Sequence, residues 1–197
     1  MIKPVVLLAL FWANTVLSVP NNQFSDFFNT LESFSANFTQ YTYSDTNALI
    51  HTTSGTFIFN RPKQLRWHTI IPNEQILLLN NNELWLVDVE LEQASLQQTN
   101  DLSKTPLYWL VNKPNSLNNL PIFSHQQDGV DWYQVSKNSS QYQQLYFGFK
   151  DETLHTISLK NELEQTILVL FDQATINPTI KPQAFELNLD PVFDIIR

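Results

Sequence analysis

The sequence has no cysteine. No disulfide can staple the chain, and no thiolate can act as nucleophile or metal ligand, so its stability must come from a core. The chain also cannot carry a lipid on an N-terminal Cys of its own. Glycine is nearly as scarce, with Gly55, Gly129 and Gly148 the whole set. That removes phosphate-cradling loops and the nucleophile elbow. Positive charge is short: 11 Lys and Arg stand against 19 Asp and Glu, a formal net charge of −8. Such a chain is not expected to bind nucleic acid or anionic lipid head groups. The four histidines (His51, His68, His125, His155) form no HExxH motif and no metal-ligand pair on one element. His125, Asp128 and Asp131 lie close in sequence, but Gly129 among them marks a solvated turn. These absences predict no catalytic residue, no metal and no cofactor, hence a non-enzyme.

Long hydrophobic runs are missing except at the start. Lys3 is positive, Pro4 to Leu17 are mostly apolar, and Val16 and Ser18 suit the −3 and −1 positions of a cleavage site. This is the pattern of a secretory signal peptide. The run is too short for a membrane anchor and is broken by Asn14 and Thr15. Residues 1–18 are therefore read as a signal peptide and 19–197 as one domain, large enough to bury roughly 70% of its unfolded surface.

Aromatic residues are abundant, with 14 Phe, 6 Tyr and 5 Trp. Phe24, Phe27, Phe28, Leu31 and Phe34 fall at helical spacing, predicting an amphipathic helix over Gln23–Phe34 that Asn21 or Asn22 can cap. Its phenylalanine face either packs a core or lids a cavity. Strand patterns follow at Ser35–Ser44, Ile50–Asn60, Gln64–Ile71, Glu74–Asn80 and Glu83–Glu90. Others lie at Trp132–Lys137, Gln143–Lys150, Thr153–Lys160, Glu164–Asp172 and Ala184–Asp190. Short turns such as Arg61-Pro62-Lys63 and Asn80-Asn81-Asn82 join them, which implies an antiparallel meander. Clean alternation, as in Leu145, Phe147 and Phe149, gives one wet face and one apolar face that needs a cover. A second, nearly all-apolar helix is signalled at Thr105–Val111, with Pro106 at its first position and Pro114 blocking its continuation. The class is mainly β with helices.

The candidate apolar surface comprises Phe57, Phe59, Leu65, Trp67, Trp85, Leu107, Trp109, Phe147 and Phe149. In any fold most of these are core. Strand residues facing helix residues across a gap would instead line a cavity suited to an acyl chain, and periodicity treats both cases alike. One residue breaks the apolar pattern. In Gly55-Thr-Phe-Ile-Phe-Asn-Arg-Pro-Lys-Gln-Leu-Arg-Trp67, Arg61 puts a permanent cation between two bulky strands. It is either an ordinary solvated turn residue or a hydrogen-bonding latch at a cavity rim.

Phe34-Ser-Ala-Asn-Phe-Thr-Gln40, followed by Ser54-Gly-Thr-Phe-Ile-Phe-Asn-Arg-Pro62, resembles the periplasmic outer-membrane lipoprotein carrier family. Leu65-Arg-Trp67, Pro72-Asn-Glu-Gln-Ile-Leu77, Glu83-Leu-Trp-Leu86, Glu92-Gln93 and Thr105-Pro106 continue the match in order. The resemblance implies an incomplete antiparallel β-barrel covered by a lid of short helices. It implies a hydrophobic cavity for the acyl chains of lipoproteins, lined by the nine residues above, under a lid helix carrying Phe24, Phe27, Phe28 and Leu31. The family's lid-latching arginine falls on Arg61. The implied partners are acylated lipoproteins, an inner-membrane lipoprotein-releasing ABC transporter that loads the carrier and an outer-membrane receptor lipoprotein that unloads it. The implied setting is the periplasm of a Gram-negative bacterium, the implied state a monomer. The receptor shares the fold but needs an N-terminal Cys that this chain lacks. A lipid- or lipoprotein-sensing module of the same half-barrel is the alternative, and would normally bring an extra domain. The chain departs from the pattern at Leu65, where some members carry an aromatic, and at the asparagines after Leu79, where members often have Asp-Gly.

Overall fold

The structure, a computed structural model, describes residues 23–97, 105–113, 120–136 and 141–196. Residues 1–18, read above as a signal peptide, and Asn21 and Asn22, read as candidate helix caps, lie outside the described residues. The described residues open with helix α1 (Gln23–Thr30) and six strands. These are β1 (Ser33–Tyr43), β2 (Leu49–Asn60), β3 (Gln64–Ile71), β4 (Gln75–Asn80), β5 (Glu83–Asp88) and β6 (Gln93–Gln97). Helix α2 (Pro106–Val111) precedes β7 (Ile122–Gln127), β8 (Val130–Gln134), β9 (Gln144–Lys150), β10 (Thr153–Lys160) and β11 (Thr166–Ile176). A 3-10 turn at Pro182–Phe185 leads to a last short strand, β12 (Asp194–Ile196).

The twelve strands among the described residues form one sheet in the order β12-β6-β5-β4-β3-β2-β1-β11-β10-β9-β8-β7. β1 pairs antiparallel with β11 and so joins two meanders. Only β12 runs parallel to its neighbour, β6. The edges β12 and β7 do not pair with each other, so the sheet is curved but unclosed. Its curvature has local causes. The β2–β3 register shifts at Ser54/Gly55, and a Cβ on Gly55 would stand 1.9 Å from the His68 carbonyl oxygen. The β9–β10 register shifts at Leu154/Thr156, opposite Gly148, where a Cβ would meet Thr156 Cγ2 at 2.3 Å. Such irregularities bend a strand and add twist, and glycine permits the close approach.

Alternation along the strands separates two apolar layers. Phe57, Phe59, Leu65, Leu79 and Leu84 point to the concave side, where α1 and α2 cover them together with Phe147, Phe149 and Phe171. Ile58, Ile76, Leu78, Trp85 and Val87 point to the other side and pack against Ile180, Phe185, Leu187 and Phe193 of the C-terminal segment.

Three expectations are corrected. Gln23–Phe34 is not one helix: α1 stops at Thr30, and Phe34 is already in β1. The cause is remote, because the Asn177 side chain accepts from the Glu32 and Ser33 amides and donates to the Thr30 carbonyl. Ala184–Asp190 is not a strand. It is the end of the 3-10 turn followed by unpaired chain, and its alternation arises from laying Phe185 on the outer face. Strands β6, β7 and β12 lacked a sequence signal: every residue of β7 and of β12 is exposed, and Ala94 is the one buried side chain of β6.

Candidate functional site

The site is built around Arg61, in the β2–β3 turn. It is the one buried charged residue among those described, 8% exposed. Its backbone amide donates to the Glu32 carbonyl at 2.8 Å. Its guanidinium faces four more carbonyls. Nε donates to Leu110 O at 2.9 Å. Nη1 donates to Phe28 O at 2.5 Å and to Leu31 O at 2.7 Å. Nη2 reaches Trp109 O at 3.4 Å. These oxygens belong to the C-terminal ends of α1 and α2. The last carbonyls of a helix have no partner within it and carry the negative end of its dipole. A planar fork of five donors is suited to satisfying two such ends at once. The Phe28 and Phe59 rings lie 5.8 and 5.7 Å from its central carbon, adding cation–π attraction. Burial pushes the Arg61 pKa down to about 10, and nearby Glu32 pushes it back up. Arg61 therefore stays a cation at neutral pH. On the surface, Lys113 donates to the Glu32 carboxylate and ties the end of α2 to the end of α1.

Beneath this clamp the concave face is packed with rings. Phe24 lies 4.4 Å from Phe28 and 5.3 Å from Phe147, and Phe27 lies 5.3 Å from Phe149. Phe34 stacks on Phe59 at 5.9 Å, with Phe57 and Phe171 beside it. Phe24, Phe28 and Leu31 are fully buried, while Phe27 is half-buried against the same cluster.

The nine expected cavity residues accordingly divide. Phe57, Phe59, Leu65, Trp109, Phe147 and Phe149 are brought together but solidly packed. Trp67 and Leu107 line an open groove with Gln40, Leu77, Tyr142 and Val169, of about 340 Å³. A more polar cavity of about 550 Å³ shares Gln40, Trp67 and Leu77 and continues to His51 and Asn73. Trp85 does not join them. It faces the opposite side of the sheet, under the C-terminal segment, because it is one residue out of phase with Leu84. Sequence reasoning missed Ile157, Leu159, Ile167 and Val169 as groove residues, although their alternation in β10 and β11 signalled an inward face. It also missed Asn177, which no local pattern marks. No group of three or more His, Cys, Asp or Glu among the described residues is placed to hold a metal ion.

The fold and site together define a class: an open β half-barrel whose apolar concave face is roofed by two short helices, with one buried arginine fastening the roof. The comparisons with known proteins sharpen this. Residues 29–188 match the family described as outer membrane lipoprotein carrier protein LolA, and the chain belongs to that family. It is 28% identical over 179 residues to the outer-membrane lipoprotein carrier protein of Hahella chejuensis, covering 88% of this chain and 86% of that one. The protein of the same name from Legionella pneumophila is 26% identical over 173 residues, covering 86% and 85%. Among solved structures, a LolA superfamily protein from Nitrosomonas europaea has the same fold, with a TM-score of 0.53 at 11% identity over 84% of this chain and 95% of that one.

Proposed function

We propose that this protein is a non-enzymatic periplasmic carrier of lipoproteins. It takes acylated lipoproteins released from the inner membrane by an ABC transporter, shields their acyl chains on the concave face, and passes them to a receptor lipoprotein at the outer membrane. The observation that carries this reading is the Arg61 clamp, a cation spent on holding two helices over an apolar face. Family membership gives the cargo its class.

Physical chemistry makes the scheme coherent. Each CH₂ of an acyl chain gains about 0.8 kcal/mol on leaving water, so a multiply acylated protein does not cross an aqueous compartment unaided. The open groove of about 340 Å³ is at the lower end of ordinary ligand pockets, roughly 300–1,000 Å³, and is too small for several long chains. Loading must therefore displace both roofing helices, α1 and α2, letting acyl chains take the places of Phe24 and Phe28 against Phe147 and Phe149. One apolar contact replaces another, so the free energies nearly balance. Breaking the Arg61 hydrogen bonds is then the cost that keeps cargo releasable, and closure after transfer restores them.

The test is a release assay. Inner-membrane spheroplasts carrying a labelled lipoprotein are mixed with purified residues 19–197, and soluble cargo is counted. A one-to-one soluble complex is the expected outcome. No release by the folded protein would overturn the carrier reading. Arg61→Leu should still fold and accept cargo but hand it on more slowly. Transfer at the wild-type rate would overturn the latch.

A further inference from the structure

Trp109 sits in α2, in the middle of the roof, with 2% of its surface exposed. Its indole nitrogen is buried and donates to nothing, one of two such side-chain atoms among the described residues. The other, Asn29 Oδ1, is in α1. Both orphaned polar atoms therefore belong to the two roofing helices, and none to the sheet. Indole N–H groups nearly always find a partner when buried, and leaving one unmade is costly. Phe24, nearly perpendicular to Trp109 at 6.2 Å, offers at most a weak π acceptor. The same helix supplies Pro106 and Leu107 to the apolar groove, so Trp109 is one turn from the space where a ligand would enter.

We propose that the Trp109 N–H is a recognition donor for the ester carbonyl oxygens at the head of an acyl-glyceryl cargo. This rests on the carrier reading above. Such a lipid carries carbonyl acceptors at the junction of its chains and head group. An apolar face alone measures the length of a chain and cannot distinguish an acyl ester from an alkyl ether of equal length. A single buried donor can, because only the ester's carbonyl oxygen supplies the acceptor that the N–H lacks. In the closed form the N–H is unsatisfied. When α2 shifts to admit cargo, a carbonyl satisfies it. The roof is thus biased to open for esters rather than for hydrocarbon as such.

The experiment compares two synthetic lipopeptides with identical peptide and chain length, one bearing a diacylglyceryl-cysteine and the other its dialkyl ether analogue. Their binding to purified residues 19–197 is measured by competition with a fluorescent fatty-acyl probe. The wild-type protein should bind the ester about three- to tenfold more tightly, the range of one neutral hydrogen bond. Trp109→Phe should bind both equally, with an unchanged or raised melting temperature, because it removes an unmade donor. Replacing Trp109 by its benzothienyl isostere, which keeps the ring shape without the N–H, should do the same even where Phe packs poorly. Equal binding of ester and ether by the wild type overturns the assignment while leaving the carrier reading intact, and so does an ester preference that survives both replacements. Binding of neither lipid by folded wild-type protein overturns the carrier reading and this assignment with it.

Discussion

The sheet has two apolar faces, and each is covered in a different way. On the outer side, the C-terminal segment lays Phe185, Leu187 and Phe193 over Leu78 and Val87. That cover is secured at several points: the Asn80 side chain donates to the Phe185 carbonyl, and β12 pairs with β6 over three residues. On the concave side, α1 and α2 are only eight and six residues long, about two turns each, too short to be stable alone. They are held by packing and by the fork of Arg61. The contrast shows how one fold keeps a permanent cover and a removable one. A cover stitched into the sheet unfolds only with the sheet. A cover fastened by side chain to backbone can open locally at a fraction of the global free energy.

Substitutions in the two covers should therefore differ in kind as well as in size. Phe185→Ala empties a fully buried site in the outer cover and should cost about 3–5 kcal/mol of global stability, read as a lower urea midpoint. A loss under 1 kcal/mol would mean that the outer cover is also loosely held. Arg61→Leu leaves helix-end carbonyls unsatisfied and should cost about 1–3 kcal/mol, confined to the roof. Amide exchange should accelerate in α1 and α2 and stay slow in β1, β2 and β9. Equal acceleration everywhere would erase the distinction between the covers. Asn177→Ala removes the outside pin on the end of α1, where its carboxamide makes three hydrogen bonds. It should cost about 1 kcal/mol and mimic Arg61→Leu weakly, with faster exchange in α1 but not in α2. Lys113→Ala removes an exposed ion pair to Glu32 and should change stability by less than about 0.5 kcal/mol, vanishing in high salt. A larger effect would make that pair part of the fastening.

Much of this was legible in the chain. Gln64–Ile71 is observed with the bounds its pattern gave, and so is Thr153–Lys160, because alternation and turn residues act locally. Arg61 stood out as a charge among apolar strands, but its partners did not. They are main-chain carbonyls, which every residue possesses, so no side-chain pattern could name Phe28, Leu31 or Leu110. Trp85 was read as a cavity residue from its size and neighbourhood. Its phase against Leu84 carried the true answer, for a shift of one residue along a strand exchanges the faces.

The sequence by itself determined which residue types and short motifs are missing, the meander, the presence of two helices with apolar faces and the position of the odd cation. It did so because composition and period need nothing beyond a few neighbouring residues. Only the tertiary structure decided that the ring-lined interior is filled rather than hollow, that Trp109 is buried without a partner, and that Asn177 ends α1 from 145 positions away in the chain. Each of these depends on which distant segment arrives to cover a face, and an apolar stripe reads the same whichever one does.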